Sequence, residues 1–362
     1  MRMPRAARAG ALLLAIGLVL AGCGGGGDDA GDSGGGGDAA EAKKVGLAFD
    51  VGGRGDLGFN DSAYKGITEA KTELGDKFEF KDVSPNADGS NRKELIDGFI
   101  GDDYGLVIGV GFAFTEDMVK AATENPEAKF AVVDGFDELC LKPDSNLRCL
   151  GFKEQEGSFL MGVAAAMKTK TNTVGFVGGQ KGDLIGRFQA GYQAGVEWVN
   201  KEQGKNVKVL VDYAGTTVQA FQDPAKGREL ATKQIGQGAD VLFHAAGASG
   251  NGMIDVCRER KKLAIGVDQD QSLTTTNPAN REWILTSMLK RVDNSVKKSV
   301  NDYVNGTFTG AAEALGLKEG GVDYAQNEYN KELLGDLPAT LDKVKQEIIA
   351  GTITVPDKPA AS

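Results

Sequence analysis

Three aspartates each close an apolar run of this 362-residue chain: Asp50 in LAFD, Asp134 in AVVD and Asp268 in IGVD. Gly247 closes another, in FHAAG. A carboxylate in such a place either caps a helix or accepts hydrogen bonds from a ligand. A glycine there either turns the chain or lets backbone come close to a bound molecule. The densest chemistry lies in DVGGRGDLGFND, residues 50–61, which holds three carboxylates, four glycines and Phe59. Its length is that of a calcium loop, but positions 3 and 5, which need oxygen ligands, are Gly52 and Arg54. Arg54-Gly55-Asp56 is a coincidence of three common residues, and the glycine order is not the GxGxxG of nucleotide turns. What remains is a loop carrying Asp50, Phe59 and Asn60 over the mouth of the first strand. Phe59 there either staples the helix that starts near Asn60 or offers its face to a flat ligand.

Catalytic chemistry has little to work with. His244 is the only histidine, and it sits inside the apolar run VLFHAAG, which reads as core. HExxH, GxSxG and GxxxxGK[ST] are absent, and GASGNG at 247–252 is GxxGxG with no basic residue before Arg258. Ser287-Met288-Leu289-Lys290 matches SxxK, but the SDN and KTG elements that accompany it in penicillin-recognising enzymes are missing. Lys290 therefore reads as a binding cation. The expectation is a protein that is not an enzyme and carries neither metal nor cofactor.

These residues must be positioned by elements that the hydrophobic pattern discloses. VGLAFDV (45–51), FEFKDVS (78–84), LVIGVG (106–111) and FAVVDG (130–135) read as buried strands. TVGFVGG (173–179), VKVLVDYAG (207–215), DVLFHAAG (240–247) and LAIGVD (263–268) repeat the pattern. Amphipathic stretches alternate with them. In NDSAYKGITEAKTELG the residues Ala63, Tyr64, Ile67, Ala70 and Leu74 share one helical face, and Gly75 ends it. Continuous apolar strands alternating with helices mean parallel sheets covered on both faces, here in two similar lobes. In such sheets ligands sit beyond the carboxyl ends of the strands. After Asp268 the rhythm changes to one strand, a helix, two short strands around Gly320-Gly321 and a last long helix from Asn330 to Gly351. That tail supplies both lobes. The boundaries are a first lobe over 44–150 with parts of 270–310, and a second over 151–268 with parts of 311–355.

Ahead of the lobes, residues 1–22 form an arginine-bearing start and a short apolar run ending in Leu20-Ala21-Gly22, directly before Cys23. The run is too short to span a membrane but suits a signal peptide with a bacterial lipobox, so Cys23 is the expected lipidation site. Residues 23–43, rich in Gly and Asp, read as a flexible linker from lipid anchor to folded region. Without residues 1–22 the chain has 38 Lys and Arg against 51 Asp and Glu, a net charge of −13. That balance argues against nucleic acid as a partner. In an exported protein, Cys140 and Cys149, flanking LKPDSNLR, are expected to form a hairpin disulfide, and Cys257 to be a small buried helix residue.

Taken in order, these segments resemble the basic membrane protein family of bacterial lipoproteins. The first matches D-x-G-G-x-x-D-x-x-F-N through Asp50, Gly52, Gly53, Asp56, Phe59 and Asn60. GFVGG, RFQAGYQAG, HAAGASGNG, GVDQDQ, TSMLKRVD and GLKEGGVDYA resemble later blocks, over nearly all of residues 44–325. The resemblance implies a type I periplasmic binding protein fold, with two doubly wound parallel-sheet lobes joined by three crossovers and a ligand cleft between them. It also implies a monomer, lipid-anchored on the extracytoplasmic face of the cell membrane, that binds a purine nucleoside and delivers it to the permease and ATPase of an ABC importer. Carried over, Phe59 is one stacking ring and Phe188 the second, with Phe221 in TVQAFQD as the alternative. Asp268 accepts from ribose hydroxyls and Lys290 donates to them. Asp50, Asn60 and Asp134 read base edges or sugar, and Gly247 admits backbone. A sugar or autoinducer receptor of the same fold, or a signalling sensor, is the other reading of the same features.

Overall fold

Strands such as LVIGV and VLFHA are buried at every position, which requires cover on both faces of the sheet. The computed structural model describes residues 41–142 and 144–360, and these form two such six-stranded sheets. The signal-like start, Cys23 and most of the linker lie outside the described residues.

The first lobe runs β1 (Lys43–Ala48), α1 (Phe59–Leu74), β2 (Phe78–Val83), α2 (Arg92–Gly101), β3 (Leu106–Val110), α3 (Thr115–Glu124), β4 (Lys129–Val133) and β5 (Leu147–Phe152). The second continues with α4 (Glu154–Lys168), β6 (Thr173–Gln180), α5 (Asp183–Gln203), β7 (Lys208–Gly215), α6 (Pro224–Gly236) and β8 (Val241–Ala245). It is completed by α7 (Ser249–Glu259), β9 (Leu263–Asp268), α8 (Gln271–Thr274) and β10 (Ile284–Lys290). The tail then divides. α9 (Val292–Val304) returns to pack on α1, and β11 (Ala311–Leu315) joins the first sheet beside β5. β12 (Val322–Tyr324) pairs antiparallel with β10, and α10 (Lys331–Leu334) and α11 (Leu337–Ile349) follow in the second lobe. Strand orders are β2-β1-β3-β4-β5-β11 and β7-β6-β8-β9-β10-β12, and all pairs but β10–β12 are parallel.

The chain thus passes between lobes three times, at Lys153, at Arg291 and over residues 316–321. The three passages are laced together. The Lys153 amide donates to the Leu315 carbonyl at 3.0 Å, and the Arg291 amide to the Gly321 carbonyl at 2.8 Å.

Helix α1 buries Ala63, Ile67 and Ala70 completely, and Gly75 ends it at φ 61°. Four features differ from the sequence expectation. β5 went unread, because Arg148 interrupts its apolar pattern; the guanidinium is buried against the Asp302 carboxylate at 2.8 Å. Cys140 and Cys149 are joined, but the bridge ties a 3-10 turn at Glu138–Leu141 to β5 and does not span a hairpin. The two short strands around Gly320-Gly321 belong to different sheets. The final helix is broken between α10 and α11 at Gly335, φ 54°, with Pro338 opening the next turn.

Candidate functional site

The loop from Asp50 to Asp61 is built by its own carboxylates. Asp61 accepts from the amides of Gly55 at 2.8 Å and Leu57 at 3.0 Å. Asp56 accepts from Gly58 at 3.0 Å, Asn60 at 2.8 Å and Asp61 at 3.2 Å, and so caps the first turn of α1. Asp50 accepts from the Val51 amide at 2.8 Å and from the Arg92 guanidinium at 3.1 Å. The side-chain Oδ1 of Asn60 accepts from the Asp50 amide at 2.9 Å. These oxygens serve the protein's own donors. The result is a rigid lip on which Phe59, half-buried, starts α1.

Opposite this lip stand the strand ends of the second lobe. A cleft is lined by Asp50, Asp56, Phe59, Asn60 and Asp134 from the first lobe. Phe188, Phe221, Gly247, Asp268 and Lys290 line it from the second, with Leu184, Ile185 and Val267 as apolar wall. All eight residues expected to touch a ligand, and the alternative ring Phe221, therefore face one cavity.

Lys290, at the end of β10, is 2 % exposed. Its Nζ lies 2.7 Å from Asp134 Oδ2 across the cleft and 3.1 Å from Glu154 Oε1. The rings of Phe59, Phe152 and Phe188 surround it, with centroids 5.3, 5.1 and 5.5 Å away. Glu154, fully buried at the start of α4, also takes Arg187 at 3.3 Å. Asp134 and Asp268 end equivalent strands of the two lobes, and both sit at positive φ, 64° and 67°. An aspartate tolerates that conformation better than most side chains.

Burial drives the electrostatics. It pushes Asp268 up to about 7; Lys290 opposes the rise, and Asp56, Asp134 and Glu154 add to it. It pushes Asp134 to about 6 against the pull of Lys290, and Asp56 to about 6 against three backbone donors. Asp50 is raised by burial, with the Val51 amide and Arg92 opposing. For Lys290 burial works downward, but Asp134, Glu154 and Asp268 together hold its pKa above the ordinary value. Acids outnumber bases in the cleft, and the buried Oδ1 of Asp134 has no donor. The site is short of hydrogen-bond donors.

The two candidate rings differ. Phe188 is 3 % exposed and turned toward the Lys290 ammonium. Phe221 is half-buried at the end of a 3-10 turn, Val218–Phe221, held by Ser249, whose hydroxyl donates to the Ala220 carbonyl at 2.7 Å. The ring packs against Gly179, where any Cβ would overlap it.

Sequence reasoning did not assign Asp56 to the cleft, nor Glu154 and Arg92 to the support of Lys290 and Asp50 behind it. Asp56 was visible in the first motif. Nothing local distinguished Glu154 or Arg92, whose partners lie far along the chain.

Two doubly wound lobes, three passages between them and a cleft at the strand ends define a solute-binding protein of the type I periplasmic fold. A family model described as "ABC transporter substrate-binding protein PnrA-like" matches residues 43–359, and the chain belongs to that family. It is similar to "Basic membrane protein D" of Borreliella burgdorferi, 34 % identical over 88 % of this chain and 89 % of that one. It is also similar to the "ABC transporter nucleoside-binding protein BmpA" of Lactococcus lactis subsp. cremoris, 32 % identical over 87 % of this chain and 89 % of that one. Among solved structures, a solute-binding protein of an ABC transporter system from Aeropyrum pernix K1 superposes with a TM-score of 0.76. It is 29 % identical, with 88 % of this chain and 94 % of that chain covered.

Proposed function

We propose that this substrate-binding protein is a lipid-anchored extracytoplasmic receptor that closes on one purine nucleoside and delivers it to the permease and ATPase of an ABC importer. The observation that carries the reading is the buried Lys290, bonded to Asp134 across the cleft, between aromatic rings and beside Asp268. Vicinal ribose hydroxyls are a fork of donors, which the free oxygen of Asp134 and the carboxylate of Asp268 accept, while the ammonium donates in return. The base stacks on Phe59, and Phe221 is the better second ring, because a ring that stacks needs a face the protein has not already covered. Each stacked face is worth about 1–3 kcal/mol. Asn60, its carbonyl oxygen already engaged, directs its amide donor at the base edge beside the Asp50 carboxylate, and Gly247 leaves room for backbone approach. The surplus of acids disfavours a phosphorylated ligand. The nucleoside-binding relative supports the same choice. Among the described residues no helix is long and apolar enough to cross a membrane. The proposed anchor is Cys23, and its support is the lipobox-like Leu20-Ala21-Gly22 directly before it.

Calorimetric titration of the fragment from about residue 40, unfolded and refolded to strip carried-over ligand, tests the reading against adenosine, guanosine, inosine, cytidine and ribose. One-to-one binding of a purine nucleoside, with an energy on the order of −8 kcal/mol and none for ribose, supports it. Silence for every nucleoside with a response to a sugar retains the fold and discards the ligand. Chromatography of the mixture should return intact nucleoside; free base would make the protein a hydrolase.

A further inference from the structure

Beyond the ligand contacts, one chain of polar side chains runs from the interior of the second lobe to the lip of the first. The Val267 amide donates to Gln271 Oε1 at 3.0 Å, and His244 Nε2 lies 2.7 Å from the same oxygen. Gln271 Nε2 donates to Asn251 Oδ1 at 3.2 Å, and Asn251 Nδ2 donates to the Asp56 carbonyl at 3.1 Å. Both ends are backbone groups with only one possible role. An amide N–H can only donate, so the Gln271 oxygen faces Val267 and its nitrogen faces Asn251. A carbonyl can only accept, so the Asn251 nitrogen faces Asp56. His244 must then carry its proton on Nε2, since the oxygen it meets has none to give.

Asn251 has company at the lip. Gln269 Nε2 donates to the Gly58 carbonyl at 3.0 Å and Thr274 Oγ1 to the Leu57 carbonyl at 3.0 Å. Three successive carbonyls of the first lobe thus each take a different side chain of the second. The residue between them, Leu57, stands at φ 61°, a costly conformation for leucine that a surrounding set of bonds must hold. Phe59 follows directly. We propose that Asn251, Gln269 and Thr274 form a latch that holds the lobes closed through the loop bearing Phe59. In the same device His244 and Gln271 are positioning residues that keep the Asn251 amide the right way round. The device gives the single buried histidine a task that is neither catalysis nor metal binding.

Asn251→Asp is the sharpest test, because it keeps the shape and the bond from Gln271 but sets an oxygen against the Asp56 carbonyl. Spin labels at two exposed positions, Lys93 in α2 and Arg260 beyond α7, report the distance between lobes by pulsed electron resonance, with and without 1 mM inosine. A short-distance population in the parent protein should fall about tenfold relative to the long one in Asn251→Asp. Gln271→Glu, which accepts like glutamine but cannot donate to Asn251, should shift the distances the same way. Nitrogen NMR of the one imidazole should show its proton on Nε2 in the parent and in Asn251→Asp. The proposal fails if neither condition yields a short-distance population, if Asn251→Asp leaves the distances unchanged, or if the proton sits on Nδ1. A short population without inosine makes the outcome independent of the nucleoside reading, which calorimetry decides separately.

Discussion

Asp268 is the residue on which the proposed chemistry turns. Burial pushes its carboxyl up to about 7, so it titrates in the neutral range. Hydroxyl donors favour the ionised form, so nucleoside binding should release a proton. Affinity should therefore climb as pH rises through about 7 and level off above it, and Asp268→Asn should flatten that profile; titrations in buffers of different ionisation enthalpy read both effects. Asp268→Ala should cost roughly 2–5 kcal/mol of binding, the scale for removing one partner of a buried charged hydrogen bond. Unchanged affinity there would remove Asp268 from the site. Gly179→Ala tests the second ring. A methyl at 179 must displace Phe221, so affinity should fall about tenfold, the loss of roughly one stacking contribution, while the melting temperature stays near that of the parent.

At the scale of elements, the supports of the site are unequal in stability. α4 and α5 cross so closely that a Cβ at Gly162, Gly191 or Gly195 would strike the facing helix backbone, which fixes Glu154 and Phe188 relative to each other. The segment after Asp134 has no such helix. It is secured by the Cys140–Cys149 bridge, which closes a short loop, with a sequence separation of 9. Chain-entropy reasoning values a loop of that size at up to about 3 kcal/mol. Replacing both cysteines by serine should lower the urea midpoint accordingly and loosen Asp134, with a larger loss in nucleoside affinity than in helical content by circular dichroism.

For the whole molecule, the buried acids set a pH dependence of stability opposite to that of an ordinary salt-bridged protein. Asp56, Asp134 and Asp268 have native pKa values near 6, 6 and 7, above their ordinary value of 3.8. The native state holds those protons more tightly than the unfolded chain does, so their contribution is present in acid and lost as pH rises through 6 to 7. His244 works the other way: burial lowers it to about 4, and its contribution falls away as pH drops from 6.5 toward 4. Three groups outweigh one above about pH 5. The ligand-free protein should melt higher at about pH 5.5 than at about pH 8, and Asp268→Asn should shrink the difference. A melting temperature that rises steadily from about pH 5.5 to 8 would contradict this assignment of the buried acids.

Much of this molecule is legible in one dimension. Continuous apolar strands ending in Asp or Gly can bury themselves only in covered parallel sheets, and ligand chemistry collects at such ends, so Asp50, Asp134, Asp268 and Gly247 could be picked out along with Phe59. Periodicity places α1 for the same reason, since its apolar face and Gly75 are local facts. Other features depend on partners distant in sequence. Arg148 hid β5 because its compensating Asp302 lies on α9, and Glu154 gained its role as a buried partner only when Lys290 arrived beside it. Phe188 and Phe221 are equivalent as letters, and they differ only in packing: Phe188 is 3 % exposed and Phe221 half-buried against Gly179, which is what supports Phe221 as the proposed second ring. Periodicity and turn chemistry act between neighbours, so the sequence alone determined the class, α1 and the strands whose apolar runs are uninterrupted. Burial, charge compensation and the latch join residues far apart, so only the tertiary structure decided which side chains share the cleft and what holds it shut.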